Sequence, residues 1–458
     1  MKIENSIVFP NVHDFIYQGM IRNYAYLAEW RKIGAGYSEV SILWPGKNKL
    51  ILAPKPIDNA VIAYSKMRFG YEINYVSPQR FTSETAEDFL RDTEAMEAIE
   101  RFAKKYGNIH FVSWGATPGA YQLLKKINTF NPACIADMPD ELNACTVSKY
   151  DSKIGFKNLC NKLKLRVPVG YLCDSMKEAI DVMRTLHYNQ KSFLLKADRG
   201  AAGFGNIKIG SALLSQPFND VEEYITKNIK DLPYFESGPM LVEEFVEVPS
   251  YIRHGDSDIR SGFVSAEILA NGSTQIIAGG VDIHGESGYY EGARLGKGIF
   301  QEQFLRKLED IMYRLGNEIA HNGYRGHWGI NYMLNKDGEI TLIEMNPRRC
   351  GESHIHHIAR EIAGDSWMQS VYILNRLPIS IKINNTLKGA VYEDIINIII
   401  GLNNNNKGTE IIPVQLSWVK NKSFPGLGYI IIGNDEKSVN NHEASLLNGL
   451  KKIGISTW

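Results

Sequence analysis

Short apolar runs alternate with helical stretches along the first third of the chain. The apolar runs include LILAP after Asn48, then YEINYV, and then IHFVSW at 109–114. The longest helical stretch between them is acidic and extends from Ser83 to Tyr106. Such alternation is typical of an open α/β sheet. We therefore predict an N-terminal α/β domain over residues 1–147.

The pattern changes after this point. Residues 148–246 combine helices predicted at 153–165 and 176–186 with the strand VGYLC, the pair FLLKAD and GFGNIKI, and the strand MLVEEFV. Residues 247–377 contain two long strands, FVSAEIL and TQIIAGGVDI, then a glycine-rich loop, a helix at 301–321 and a hairpin. Residues 378–458 are mixed and are predicted as a C-terminal extension. The fold class is therefore α/β and α+β, in several domains.

Composition narrows the class of protein. The 458 residues exceed the size at which one hydrophobic core keeps growing, so several packed domains are expected. The 51 Lys and Arg residues balance 51 Asp and Glu residues, which argues against nucleic acid or an anionic membrane as a partner. The start lacks a signal-peptide pattern, no apolar run could span a bilayer, and the five cysteines form no C-x-x-C pair. We expect a cytoplasmic protein with reduced thiols.

Two common nucleotide-binding motifs do not occur. The chain has no G-x-x-x-x-G-K-[ST] segment, and neither GAGYSE nor GFGNIK completes a G-x-G-x-x-G fingerprint. P-loop and Rossmann sites are therefore excluded.

The first of three chemically suggestive segments is FLLKADRGAAGFGN. Lys196 leaves the end of a predicted strand and is followed by Gly200, Gly203 and Gly205. A lysine supplies a point charge to phosphates, and glycines allow close approach of the backbone to them. The alternative is an ordinary hairpin that begins with a lysine.

The second segment, PMLVEEFVEVP, is an apolar strand that contains Glu243 and Glu244. Its backbone groups could bind an adenine edge, with Phe245 and Val246 forming an apolar slot. An edge strand with a solvated acidic pair is the alternative.

The third segment, GHWGINYMLNKDGEITLIEMNPRRCGES, is the most specific. Two apolar strands joined at 336–338 predict a hairpin, with Asn331 on its first strand and Glu344 and Asn346 on its second. Residues two apart project from one face of a strand, and carboxylate and amide oxygens are ligands that Mg²⁺ takes. Arg348 lies two residues further on, and its planar guanidinium can donate two parallel hydrogen bonds to a phosphoryl or carboxylate group.

These three segments in this order resemble the ATP-grasp superfamily over roughly residues 149–364, and the N-terminal unit resembles the domain that precedes that fold. The resemblance implies ATP and Mg²⁺ as cofactors, with phosphate contacts from Lys153 and Lys196 and a glycine loop above them. The nucleotide-binding residues that it implies are Lys153, Lys196, Gly203, Phe204, Gly205, Glu243, Glu244, Phe245, Val246 and Ser250. It also implies Glu344, Asn346 and Asn331 as metal ligands, and Arg348 as the arginine that steadies the transferring group.

The sequence departs from the superfamily pattern at two positions. Asn331 stands where an acidic metal ligand is usual, and Ser250 stands where an acid usually binds ribose. Both changes bear on the number of metal ions and on ATP affinity.

Three further features leave their roles open. The glycine-rich segment 285–298 contains Arg294 and lies where superfamily members have a loop that closes on substrate, so Arg294 is a second candidate catalytic residue; a surface loop is the alternative. The turn at 115–119 either holds an anionic group or simply joins a strand to a helix. His354, His356 and His357 fall at a helix start without zinc-ligand spacing, which favours a solvated or phosphate-facing role.

The resemblance implies an ATP-dependent carboxylate-amine ligase that forms an amide or peptide bond through an acyl phosphate. Its expected partners are small carboxylate and amine substrates, such as amino acids or peptides, and a homo-oligomer is compatible with the sequence. Two alternatives remain open at this point, a ligase with a thiol acceptor such as a carrier-protein arm and a nucleotide-binding protein without turnover.

Overall fold

The structure is a computed structural model, and it describes residues 3–12, 14, 34–82, 85–199, 205–230, 235, 238–246, 253–254, 257–258, 261–284, 290–335, 337–384, 391–421 and 425–457. Within these ranges, no helix is long and apolar enough to cross a membrane.

The N-terminal part forms a parallel sheet with helices between its strands. Its described strands are β1 Asn5–Phe9, β2 Asn48–Leu52, β3 Glu72–Val76, β4 His110–Ser113 and β5 Ile135–Ala136, in the order β3-β2-β1-β4-β5. The accompanying helices are α1 Asn59–Phe69, α2 Thr85–Arg91, α3 Thr93–Lys105 and α4 Pro118–Phe130, with 3₁₀ turns at Ser38–Leu43 and Glu141–Asn143. The predicted helix from Ser83 is two helices, because Asp92 interrupts it and caps α3 by accepting a hydrogen bond from Ala95 N.

A small antiparallel sheet follows. Helices α5 Cys145–Asp151 and α6 Lys153–Lys162 lead into strands β6 Gly170–Cys173, β7 Phe193–Ala197, β8 Asn206–Ile209 and β9 Met240–Glu244, in the order β6-β9-β7-β8. The helices α7 Met176–Tyr188, α8 Ser211–Leu214 and α9 Phe218–Lys230 belong to this unit. Its apolar residues form a core separate from that of the rest of the described chain.

The largest sheet occupies the C-terminal half. Beside the short pair β10 Arg253–His254 and β11 Ser257–Asp258, its described strands are β12 Ser261–Ile268, β13 Thr274–His284, β14 Tyr290–Gly296, β15 Gly326–Leu334, β16 Ile340–Asn346, β17 Tyr372–Ile383, β18 Thr409–Gln415, β19 Gly426–Gly433 and β20 Ile455–Thr457. Their order is β16-β15-β12-β13-β14-β17-β19-β18, and β20 pairs with β17. The helices are α10 Glu302–His321, α11 Ser353–Ala363, α12 Trp367–Ser370, α13 Val391–Asn405 and α14 Glu436–Lys452, with a 3₁₀ turn at Ser417–Lys420.

Strand β17 runs through the boundary at 377 and 378 that the sequence suggested. The strands after it pair within the same large sheet as β12 to β16. The division of the chain into four domains stays a prediction, but its last segment shares a sheet with the third.

Candidate nucleotide and metal site

Lys153 and Lys196 are brought together by the way helix α6 begins. Ser152 caps α6, and Asp198, just after β7, accepts hydrogen bonds from Ser152 Oγ at 2.8 Å and from Ile154 N at 3.0 Å. Lys196 lies on β7 and Lys153 is the first residue of α6, so one carboxylate joins the two elements that carry them. Both lysine side chains are buried.

Glu243 binds two lysines at once. Its carboxylate lies 2.7 Å from Lys196 Nζ and 2.8 Å from Lys157 Nζ, and all three side chains are largely withdrawn from solvent. Burial acts to raise the pKa of Glu243, but the two lysines outweigh it, so the pKa lies below its ordinary value. The sequence singled out Glu243 and Lys196 but missed Lys157, which lies one turn after Lys153 on α6.

The rest of the proposed adenine segment lies beside this cluster. Glu244 faces away from Lys196 and pairs with Lys191 at 2.5 Å. Lys208 Nζ lies 3.7 Å from the centre of the Phe245 ring, and Val246 is half-buried. A narrow cleft beside Lys153, Lys196 and Glu243 has apolar walls formed by Phe156, Val167, Pro168, Leu342 and Ile343. An adenine-binding role for residues 243–246 stays a prediction.

Hairpin β15–β16 brings the three proposed metal ligands together. Asn331 pairs directly with Glu344 across the hairpin, and Asn346 Nδ2 donates to Asn331 Oδ1 at 3.0 Å. Glu344 Oε2 lies 3.7 Å from Lys153 Nζ, which connects the hairpin to the two lysines proposed to bind phosphate. No group of three or more His, Cys, Asp or Glu residues arranged to hold a metal ion occurs in the described part of the chain.

The donor set nevertheless fits magnesium. Mg²⁺ takes one or two protein carboxylates and completes its coordination with water and substrate phosphates. One carboxylate and two amide side chains, from Glu344, Asn331 and Asn346, meet this requirement. The metal-ligand assignment itself stays a prediction.

Two buried acids border these ligands, and the sequence analysis missed both. Asp282 on β13 is hydrogen-bonded to Asn331, and burial together with Glu352 and Glu344 raises the pKa of Asp282 to about 8. Glu352 accepts a hydrogen bond from Ser265 Oγ at 2.7 Å, and burial also raises its pKa. An aspartate inside the otherwise apolar run IIAGGVDI was the available signal for Asp282.

Arg348 lies at the end of the same hairpin. Its Nε is 3.7 Å from Asp151 Oδ1, and its guanidinium lies 6.0 Å from the centre of the Trp114 ring. Burial raises the pKa of Asp151, although Arg348 and Arg199 act against that shift. Arg348 therefore lies where α5, the N-terminal sheet and hairpin β15–β16 meet.

Arg294 does not join this cluster. It lies on strand β14 rather than in a loop, and it pairs with Val281, whereas its neighbour Ala293 pairs with Asp282. Because successive residues of a strand point to opposite faces, Arg294 projects from the face of the sheet opposite Asp282. Its Nη1 binds the Tyr372 hydroxyl, Asn440 Oδ1 and Glu436 Oε1 at 2.9, 3.1 and 3.2 Å. The expectation of a catalytic Arg294 on a closing loop is therefore corrected.

Other assignments fall outside the described residues. These are Gly200, Gly203, Phe204 and Ser250, together with residues 285–289 of the proposed substrate loop. Gly205 is described: it has φ +82°, and its carbonyl accepts a hydrogen bond from Ala197 N at 2.9 Å just before β8.

The turn at 115–119 joins β4 to α4. Asn11 Oδ1 accepts hydrogen bonds from Trp114 N and Gly115 N, and Thr117 caps α4 by accepting one from Ala120 N. Side chains of the protein therefore bind the donors at both ends of the turn, and an anion-binding role for the turn stays a prediction.

Two of the three histidines of helix α11 are buried, and the third, His357, is half-buried. His354 is fully buried and His356 is 9% exposed. Burial lowers the pKa of His354 to about 3 and that of His356 to about 4. Their expected solvated or phosphate-facing role is corrected, because α11 turns this face into the core.

Comparisons with known proteins identify structures of similar fold. No family model matches the sequence. A curated relative, L-propargylglycine--L-glutamate ligase of Streptantibioticus cattleyicolor, is 21% identical over 343 residues, which cover 70% of this chain and 67% of the relative.

Solved structures cover nearly the whole chain. An N5-carboxyaminoimidazole ribonucleotide synthetase in complex with ADP has a TM-score of 0.55 at 14% identity, covering 98% of this chain and 97% of that one. The biotin carboxylase–β-γ-ATP complex from Campylobacter jejuni has a TM-score of 0.58 at 12% identity, covering 99% and 92%. The biotin carboxylase domain of Hydrogenobacter thermophilus 2-oxoglutarate carboxylase, in complex with MgADP, ADP and bicarbonate, has a TM-score of 0.56 at 11% identity, covering 98% and 90%.

The chain thus has the ATP-grasp fold, as the three motifs predicted. The similarity to a curated ligase agrees with the predicted resemblance to the carboxylate-amine ligases that have this fold.

Proposed function

We propose that this protein is an ATP- and magnesium-dependent ligase that forms an amide or peptide bond between a carboxylate and an amine through an acyl phosphate. The observation that carries the proposal is the 3.7 Å approach of Lys153 Nζ to Glu344 Oε2, which joins the phosphate lysines to the metal hairpin. The cofactors are inferred by analogy, because solved structures of similar fold are complexes with ATP, ADP or MgADP.

The chemistry follows from the charges of these residues. A substrate carboxylate attacks the γ-phosphorus of ATP and ADP leaves; the amine then attacks the acyl phosphate, loses a proton and displaces phosphate. Lys153 and Lys196 neutralise the phosphates, and Arg348 donates hydrogen bonds to the transferring phosphoryl group. Bound magnesium, held by Glu344, Asn346 and Asn331, supplies further positive charge at the phosphates.

The acids beside the metal hairpin favour an amine over a thiol as the acceptor. Burial, Glu352 and Glu344 raise the pKa of Asp282 to about 8, which favours its protonated form at neutral pH. A positively charged ammonium group beside Asp282 would favour the ionised carboxylate and form an ion pair with it, whereas a thiol would not. The curated relative, whose name gives two amino acids as substrates, points in the same direction.

ADP release tests this proposal. Purified protein with ATP and magnesium is screened over amino acids and dipeptides, alone and in pairs, and ADP and phosphate are measured. We expect turnover with a specific pair, and with the carboxylate partner plus hydroxylamine, which traps an acyl phosphate as a hydroxamate. Absence of substrate-dependent ADP across the screen would leave a nucleotide-binding protein. Turnover with a thiol acceptor but with no amine would replace the amide proposal.

A further inference from the structure

Arg349, the residue after Arg348, binds the end of hairpin β15–β16 to the N-terminal sheet. Its side chain is 2% exposed, and its Nη2 donates a hydrogen bond to Asp137 Oδ2, directly after β5. The other oxygen of Asp137 accepts a hydrogen bond at 3.3 Å from the backbone N of Ser113, the last residue of β4. Because a buried arginine–carboxylate pair is costly to break, the Arg349 side chain fixes the position of the chain that follows β16.

The backbone of Arg349 connects the same sheet to the side chain of Arg348. Arg349 N donates a hydrogen bond to Trp114 O at 2.8 Å, and Arg349 O accepts one from Arg348 Nη1 at 3.2 Å. A carbonyl held at a fixed place therefore orients the guanidinium of Arg348. This orientation matters because a guanidinium binds a phosphoryl group through the fixed directions of its N–H bonds.

A pair of tryptophans makes a second connection between the two arginines. The guanidinium of Arg349 lies 5.3 Å from the centre of the Trp44 ring, and that of Arg348 lies 6.0 Å from the centre of the Trp114 ring. The two indoles are buried and stack on each other with their centres 6.0 Å apart. Cations are attracted to aromatic faces at such distances, so the position of Arg349 also bears on the ring against which Arg348 lies.

The two arginines differ in how closely their charges are paired. Arg349 is hydrogen-bonded to Asp137, whereas Arg348 Nε lies 3.7 Å from Asp151 Oδ1, too far for a hydrogen bond. The side chain of Arg348 is also the more exposed of the two, at 12% against 2%. This difference suits Arg348 to contact a ligand and Arg349 to remain in the protein interior.

We propose that Arg349 is a positioning residue that holds the guanidinium of Arg348 in the orientation required by the transferring phosphoryl group. The inference rests on the proposed function, which assigns that contact to Arg348. Arg349 itself does not touch the ligand and acts through its carbonyl, its pair with Asp137 and the two tryptophans.

A double-mutant cycle on the full chain tests this role. Orthovanadate, a tetrahedral analogue of the phosphoryl group, is titrated by calorimetry into protein saturated with MgADP. We expect Arg348→Met and Arg349→Met each to weaken vanadate binding by at least about tenfold. MgADP affinity should stay within about twofold of the parent, because Lys153 and Lys196 are unchanged.

The double variant separates positioning from a general structural role. If Arg349 acts through Arg348, its loss costs nothing further once Arg348 is absent, so the double variant should bind vanadate as Arg348→Met does. Arg360→Met is the matched control, since Arg360 forms an exposed pair with Asp365 on α11 and its loss should leave vanadate binding unchanged. If Arg349→Met does not fold because Asp137 loses its partner, Arg349→Lys retains the charge and takes its place in the same cycle.

Each contrary result has a distinct meaning. Parental vanadate affinity in the Arg349 variant overturns the inference, and so do losses that multiply in the double variant, because Arg349 would then act independently of Arg348. Parental vanadate affinity in Arg348→Met would remove Arg348 from the proposed phosphoryl contact and overturn the inference with it. Absence of MgADP or vanadate binding in the parent would overturn the proposed function as well.

Discussion

Glu243 sets the charge of the candidate nucleotide site because it holds Lys196 and Lys157 together. If Lys196 turns toward a phosphate, Lys157 remains to neutralise a glutamate that is 5% exposed. Because Glu243 is paired with two lysines, Lys196 can move to a phosphate while Lys157 still neutralises the buried carboxylate.

Replacing Lys157 by Met should weaken ATP binding by about tenfold, the equivalent of roughly 1.4 kcal/mol, because Lys196 then has to remain with Glu243. Calorimetric ATP titration measures the effect. Lys191→Met, which removes the half-exposed partner of Glu244 on the other side of β9, is the control and should bind ATP as before. Equal ATP affinity in the Lys157 variant and the parent would show that Lys157 is only structural.

Replacing Glu344 by Gln should raise the magnesium concentration for half-maximal ATP turnover by at least about tenfold, because the proposed metal ligands would lose their charge. A magnesium titration of ADP formation gives the value. Glu339→Gln is the control on the same hairpin, since Glu339 pairs with Arg166 and both side chains are exposed. An unchanged magnesium requirement in the Glu344 variant would remove Glu344 from the metal site.

At the scale of elements, the start of α6 and the end of β7 are joined by a single carboxylate. Asp198 binds the N-terminal turn of α6, so the two lysines proposed to bind phosphate are positioned by one local connection. Helix α11 packs His354 and His356 into the core, so its stability depends on these two side chains remaining uncharged.

Replacing Asp198 by Ala should lower the free energy of unfolding by about 1 to 2 kcal/mol, because the carboxylate's hydrogen bonds from Ser152 Oγ and Ile154 N are lost, and should also weaken ATP binding. Urea unfolding and ATP titration measure the two effects. Asp181→Ala on α7, whose side chain is exposed, serves as the control and should change neither. A loss of stability without any loss of ATP affinity would show that Asp198 stabilises the fold without positioning the two lysines.

Acid should destabilise the fold through His354. Unfolded histidine titrates near pH 6.5, whereas burial holds the folded pKa at about 3. Between these values the unfolded state binds the extra proton, so stability falls as the pH drops below about 6.5. The loss should be about 1.4 kcal/mol per pH unit for this group.

The non-titrating variant His354→Gln should therefore show a shallower fall in unfolding free energy between pH 6 and pH 4 than the parent, as measured by urea unfolding. His321→Gln, at the exposed end of α10, should retain the parental slope. Parallel curves for the His354 variant and the parent would contradict this account.

At the scale of the whole molecule, the small antiparallel sheet has its own apolar core, apart from the core shared by the other two sheets. The proposed nucleotide lies between the small sheet and hairpin β15–β16. A ligand at that place would therefore link two separately packed parts of the chain.

ATP with magnesium should slow amide hydrogen exchange in β7, β9 and α6, because binding to the native state makes local opening less favourable. Strand β2 of the N-terminal sheet is the internal control and should exchange at the same rate with and without nucleotide. Mass-spectrometric exchange gives both rates. Uniform slowing over all four elements would indicate general stabilisation rather than a nucleotide between the two sheets.

The sequence by itself indicated the ATP-grasp fold and the succession of its main strands and helices, and the chemistry of its motifs stays a prediction. Spacing of two residues placed Glu344 and Asn346 on one face of β16, because strand periodicity is local. Tertiary structure decided which faces meet. It placed Arg294 opposite Asp282, brought Lys157 to Glu243, and added the C-terminal strands to the large sheet. These contacts join residues far apart in the chain, and a local pattern of apolar and polar positions does not specify the strand that pairs next or the side chain that lies across a cleft.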